Sequence, residues 1–369
     1  MRSFVGKSSR LIYFLVVSSF VPSCGGRQPP ATEGCCENLR ADRVLDEPPV
    51  PDELETGRVD VELRSDHKAV VATVGDRDHK RAFLYSADGG DTWRVDNFYE
   101  HLRSWQTQPL REGEILPWTP NPADASVKYR TISFRERKSY DERSTDGGKS
   151  WTRMKEALLG YGTRMVQGGL IFYHPRDPLT FYIAGDLPGW QYGGGMFVSV
   201  DGGDTFRFMY ASGGIDTLAI SQSNPAVMYG AGSMGSLLKS VDGGKIWDLV
   251  GQNDLIRKTR VRTMAAETKA IAKLFDEWPT EVEGIAIDPV DVNRVYVATS
   301  KGILRTENGG ETWCILINTG ITKARSVHSI VIVPTQPNVL FVGTYKGLMR
   351  SVDRGCHWEQ IDVLSRVQR

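Results

Sequence analysis

Guanidinium and aromatic side chains gather in the least regular stretches of this sequence. Residues 76–81 read DRDHKR, with Arg77 and Arg81, and residues 135–138 read RERK, with Arg135 and Arg137. Trp105 lies within 99–113, Trp190 and Tyr192 lie in the DLPGWQYGGG of 186–195, and 253–279 holds Arg257, Lys258, Arg260 and Arg262. Guanidinium groups grip carboxylates and phosphates through paired hydrogen bonds. Tryptophan, tyrosine and arginine are also the usual anchors of protein interfaces. These segments therefore fit an anionic or carbohydrate ligand, or a protein partner. A solvated rim of ordinary surface charge is the plain alternative.

Other chemistry-bearing patterns lead nowhere. Gly230-Ala-Gly232-Ser-Met-Gly235 matches a dinucleotide fingerprint, but it leads into a strand pattern, so no helix N-terminus would receive a phosphate. The six histidines show no metal-ligand spacing, and no metal or cofactor is expected. Lys+Arg and Asp+Glu are 45 each, which argues against a generally polybasic nucleic-acid binder. Hydrophobic residues make up 40% of the 369, enough for a packed core rather than wholesale disorder. Glycine is high at 38, and there are nine tryptophans, a composition that fits many tight turns with aromatic residues beside them.

The elements that must carry the irregular segments come from an internal repeat. Six octapeptides align: SADGGDTW at 86–93, STDGGKSW at 144–151, SVDGGDTF at 199–206, SVDGGKIW at 240–247, TENGGETW at 306–313 and SVDRGCHW at 351–358. Asp or Asn at the third position (Asp88, Asp146, Asp201, Asp242, Asn308, Asp353) can accept backbone N–H bonds and close a turn. Paired glycines supply positive φ without steric cost. The closing Trp or Phe buries its ring beneath the turn. Each box offers two carboxylates at most, whereas calcium takes six to eight oxygens, so the box acids read as structural.

The flanks repeat as strand, turn, strand, loop, strand, box, strand. Four antiparallel strands recurring at this period make a propeller blade. The expected fold is all-β, a six-bladed β-propeller over 57–364, with a degenerate seventh blade compatible with the spacing. A short helical insertion is expected in 253–279, where Met264, Ile271, Leu274 and Phe275 fall near helical spacing.

The octapeptide resembles the Asp box, or BNR repeat, of sialidases, sortilin-type receptors, xyloglucan-cleaving glycosidases and photosystem II assembly factors. The resemblance covers roughly 57–364. It implies boxes between third and fourth strands, away from the ligand face, and it does not fix the chemistry. Sialidases use an arginine triad on a carboxylate, a Tyr–Glu nucleophile pair and an acidic proton donor. Their Arg-Ile-Pro signature is absent here, and no triad can be assigned. Other glycosidases need two carboxyl groups at a set separation. The first expectation is thus a binding or assembly scaffold for a protein or glycan. A sialidase-like glycoside hydrolase is the alternative, and a photosystem assembly factor a third reading.

The N-terminal segment reads as an address. Residues 1–10 carry Arg2, Lys7 and Arg10 without an acid, and the apolar run LIYFLVVSSF at 11–20 is too short to span a bilayer. Val21-Pro-Ser-Cys24 resembles a bacterial lipobox, implying a signal over 1–23, lipidation at Cys24 and, with Gly25 next, an outer-membrane anchor facing periplasm or cell surface. An ordinary cleaved signal with an incidental cysteine is the plain reading. Residues 24–56 are rich in Pro, Glu and Asp and read as a disordered tether. Cys35, Cys36, Cys314 and Cys356 remain. Four cysteines allow three pairings. One expectation is a clamp from the tether cysteines to Cys314 and Cys356; free buried thiols at the latter two are the plain alternative.

Overall fold

The computed structural model describes residues 59–63, 69–75, 81–95, 115–117, 121–134, 138–154, 170–186, 194–210, 215, 217–231, 237–250, 282–300, 302–311, 313–316, 327–345 and 347–363. The expected signal, lipidation site, tether and helical insertion lie outside these residues. All regular structure described is β.

Among the described residues, six antiparallel sheets of four strands follow one another along the sequence. The first holds β1 (Val59–Leu63), β2 (Val70–Gly75), β3 (Arg81–Ser86) and β4 (Arg94–Val95). The second holds β5 (Ile115–Pro117), β6 (Lys128–Phe134), β7 (Lys138–Ser144) and β8 (Thr152–Arg153). The third holds β9 (Leu170–Tyr173), β10 (Phe181–Asp186), β11 (Gly194–Ser199) and β12 (Arg207–Tyr210). The fourth holds β13 (Thr217–Ile220), β14 (Met228–Ala231), β15 (Leu237–Ser240) and β16 (Asp248–Leu249). The fifth holds β17 (Val282–Ile287), β18 (Val295–Thr299), β19 (Gly302–Thr306) and β20 (Cys314–Ile315). The sixth holds β21 (Val327–Val333), β22 (Gln336–Thr344), β23 (Gly347–Ser351) and β24 (Glu359–Ile361).

The sheets stand in a circle. Val61 of β1, Ile171 of β9, Leu218 of β13, Ile285 of β17 and Ile330 of β21 line one cavity of about 430 Å3, with Pro122 of the β5–β6 connection beside them. Five first strands thus share a central channel. Among the described residues, apolar layers fill five wedges between neighbouring sheets. Tyr129 and Met154 pack with Phe181 and Ile183. Met196 and Val198 pack with Met228 and Leu238. Tyr229 and Leu237 pack with Val295 and Val297. Tyr296 and Ile303 pack with Leu340 and Val342. The largest layer joins the last sheet to the first, placing Val331, Val339 and Phe341 against Val70, Leu84 and Trp93. The last sheet therefore packs on the first, and the fold is a β-propeller.

Burial explains the strand sequences. A second strand has a sheet face on either side, so VYVAT in β18 is buried at every position instead of alternating. Fourth strands are short and exposed, as in β8 and β16, which leaves little open edge for unwanted pairing. Each sheet uses consecutive strands, so among the described residues no strand is exchanged to lock the circle. Closure rests on side chains: the Trp93 and Phe341 rings meet edge to face at 6.0 Å, and Val61 N–H donates to Ser329 Oγ at 2.8 Å.

Candidate functional site

Each box is a closed hydrogen-bond circuit. In the first, Ser86 Oγ donates to Asp88 Oδ1 at 2.8 Å and accepts from Gly90 N–H at 2.8 Å. Asp91 and Thr92 N–H both donate to Asp88 Oδ1, at 3.1 and 3.0 Å, and the Thr92 hydroxyl donates to Oδ2. The indole N–H of Trp93 returns to Gly90 O at 3.2 Å, seating the ring under the turn. The whole circuit recurs at Asp146; the Asp201 box repeats it with Phe206 in place of the indole, and the Asp242 box with Ile246 in place of the hydroxyl. Thr306 and Asn308 form its fifth version. At Asp353 the ring nitrogen of His357 takes the place of the hydroxyl. Most box side-chain oxygens are thus taken up by their own loops.

Burial alone would raise the Asp88 pKa. The Thr92 hydroxyl and N–H and the Ser86 hydroxyl outweigh it and hold the carboxyl at about 2. The same balance, with Thr205 and Ser199, holds Asp201 at about 2. These pKa values lie below the unfolded-chain value of about 3.9. Their stabilisation is complete above that value and is lost as pH falls through the folded pKa. The urea midpoint is expected to fall on acidification from pH 5 to pH 2. An Asp88→Asn, Asp201→Asn double variant should show a shallower fall; an identical slope would contradict the assignment.

The inner turns carry a second repeat that the octapeptide search missed. Asn121-Pro-Ala-Asp124, His174-Pro-Arg-Asp177, Ser221-Gln-Ser-Asn224 and Asp288-Pro-Val-Asp291 open the connections between first and second strands. The last residue of each accepts a backbone N–H two residues on, as from Ser126, Leu179, Ala226 and Asn293. The turn then receives its own box: Gly147, Gly202, Gly243 and Gly309 N–H donate to Ser126, Leu179, Ala226 and Asn293 carbonyls. Boxes and inner turns consequently share one face of the disc.

A third regularity crosses between sheets. A basic residue immediately before a box reaches the next box along. Arg143 donates to Asp201 O, Lys239 Nζ to Gly309 O at 2.7 Å, and Arg305 to Arg354 O at 2.9 Å. Arg350 completes the circle on Asp91 at 2.9 Å. Sequence could have shown this as the residue before Ser or Thr in four of six boxes.

Antiparallel meandering sends every other connection from the opposite face. Arg77, Trp105, Arg135, Arg137, Trp190, Tyr192, Arg260 and Arg262 belong to those connections and lie outside the described residues. Arg81 begins β3 opposite Gly75, at that end of the first sheet, and its side chain is not described. A described residue there that sequence reading passed over is Tyr345, 54% exposed, whose ring meets His328 edge to face at 3.9 Å. The channel wall is mostly aliphatic, with Tyr173, Thr217, Gln222, Glu283 and Ser329 as its members that carry polar side-chain groups. Among the described residues it holds one carboxylate and no arginine, and no group of three or more His, Cys, Asp or Glu could hold a metal ion. Cys356 is disulfide-bonded, which replaces the free-thiol alternative at that position.

No family model matches the chain, and no curated protein does. Among solved structures, the GH74 enzyme of Niastella koreensis is similar at 16% identity and TM-score 0.47, over 82% of this chain and 46% of that one. The GH74 xyloglucanase of Xanthomonas campestris gives 14% identity and TM-score 0.43, over 82% and 54%. This chain thus spans about half the length of those enzymes. YCF48 from Cyanidioschyzon merolae gives 14% identity and TM-score 0.42, over 86% and 88%. With scores this low, the propeller rests on the strand order and the shared channel.

Proposed function

We propose that this Asp-box propeller is an exported, lipid-anchored scaffold that holds a protein or glycan partner on the face opposite its boxes. The observation that carries the reading is the division of the two faces. Hydrogen bonds within and between the turns occupy the box face. The connections bearing the arginines and aromatic residues all depart from the other. A rigid disc with variable loops on one side is an arrangement suited to presenting a binding surface. Export is supported by the lipobox-like Val21-Pro-Ser-Cys24 and by the disulfide at Cys356, since disulfides persist in oxidising compartments.

A photo-crosslinking residue placed at Trp190 or Arg260 is expected to capture a partner, and one at Val241 or Val290 on the box face is not. Equal capture from both faces would remove the reading. Cys24→Ser should move the protein from the membrane to the soluble fraction. The alternative, a sialidase-like glycosidase, predicts release of fluorophore from aryl glycosides. Turnover abolished by changing one acid would establish it instead.

A further inference from the structure

We infer that the disulfide partner of Cys356 is Cys314, so that a covalent staple joins the fifth and sixth sheets at the edge of the last box. Five cysteines are present, leaving Cys24, Cys35, Cys36 and Cys314 as possible partners. Two neighbours of Cys314 locate it. In the β19–β20 register Cys314 stands directly opposite Arg305. Residues directly opposite in an antiparallel pair share a face and sit about 5 Å apart. The Arg305 guanidinium crosses to the sixth sheet, donating to Arg354 O at 2.9 Å and lying 4.0 Å from Cys356 Sγ. Two residues along from Cys314, and so on the same face, Leu316 packs in the layer shared with Met349 and Trp358. Its Cδ1 would be 2.8 Å from a Cβ built on Gly355, the residue before Cys356. Cys314 is therefore bracketed by residues that touch 354, 355 and 356.

The sixth box is also the one that departs from the pattern. Arg354 stands where the other boxes have glycine and adopts φ 62°, the one non-glycine residue with positive φ among those described. Such backbone is costly for an L-residue. Arg354 O is held by Arg305 and by the Tyr296 hydroxyl at 3.2 Å, both from the fifth sheet. A staple one residue beyond Gly355 would fix the same strained turn to the same neighbour. It would do so next to the ring closure, which has no exchanged strand to hold it. Formation oxidises both thiols. Two protons and two electrons pass to the disulfide of a thiol–disulfide oxidoreductase, which leaves as the dithiol.

A tryptic digest of alkylated, non-reduced full-length protein separates the pairings. Cys314 falls in peptide 306–323, Cys356 in 355–366, and Cys35 and Cys36 in 28–40. A cross-linked mass joining 306–323 to 355–366, abolished by reductant, is the expected result. A link from 28–40 to 355–366, or complete alkylation of Cys356, would overturn the inference. In a Cys314→Ser variant, Cys356 should become alkylatable under denaturing conditions; in a Cys35→Ser, Cys36→Ser variant it should stay blocked. Reductant should lower the urea midpoint of the wild type and leave that of Cys314→Ser unmoved. The test is independent of whether the loop face binds a partner.

Discussion

Trp93→Ala is expected to cost about 3–5 kcal/mol, the range for emptying a fully buried indole site, whereas Trp151→Ala should cost much less. Both residues close an Asp box with the same indole-to-glycine hydrogen bond, at 3.2 and 3.1 Å. What differs is where the ring goes. Trp93 is 0% exposed and lies inside the layer that joins the last sheet to the first, against Phe341. Trp151 is half-buried and covered by the Arg130 guanidinium at 4.0 Å. Deleting Trp93 therefore opens the single seam that no covalent chain continuity supports, and the surrounding rigid strands cannot collapse to fill it. Gly90→Ala should weaken the same seam by a second route, because its φ is 91° and a Cβ there would strike the Phe341 ring. Urea unfolding of the three variants measures this; equal losses for Trp93→Ala and Trp151→Ala would show that the seam is not special.

The second large effect is expected at Asp288, whose replacement by Ala should destabilise by about 3–5 kcal/mol, as breaking a buried ion pair does. Its side chain is 1% exposed and sits 2.9 Å from Arg294 Nη1. Its other oxygen accepts the N–H groups of Val290 and Asp291 at 2.8 and 3.1 Å, which shapes the inner turn of the fifth sheet. Arg294 also pairs with Glu307 at 2.7 Å, the second residue of the same sheet's own box. Burial works against the Arg294 charge, but Asp288 and Glu307 more than restore it. Without Asp288 the guanidinium loses its most buried partner and two N–H groups lose their acceptor. Asp291→Ala is the comparison: its carboxylate is 40% exposed and 3.7 Å from Arg294, so a loss of about 1 kcal/mol is expected. A thermal or urea midpoint that falls no further for Asp288→Ala than for Asp291→Ala would refute the hub.

The boxes were legible in the amino-acid sequence because their physics is local. Serine, aspartate and tryptophan bond to backbone within four residues, so the octapeptide carries its own geometry, and six copies imply six sheets. The inner-turn tetrapeptides were equally local, but Asn121, His174, Ser221 and Asp288 supply the same acceptor through four different side chains, and a search by residue identity passes over them. Strand positions followed from the box spacing and from runs such as VYVAT.

Only the tertiary structure decided how the circle closes. Arg350 meets Asp91 across 259 residues, and Trp93 finds Phe341 in the last sheet. Nothing local distinguishes Trp93 from Trp151, or Arg305 from any other strand arginine, because burial and pairing across a wedge depend on which sheet stands next. The separation of a hydrogen-bonded box face from a loop-bearing face has the same origin. It follows from strand direction around a closed ring, a property of the assembled meander that no single segment encodes.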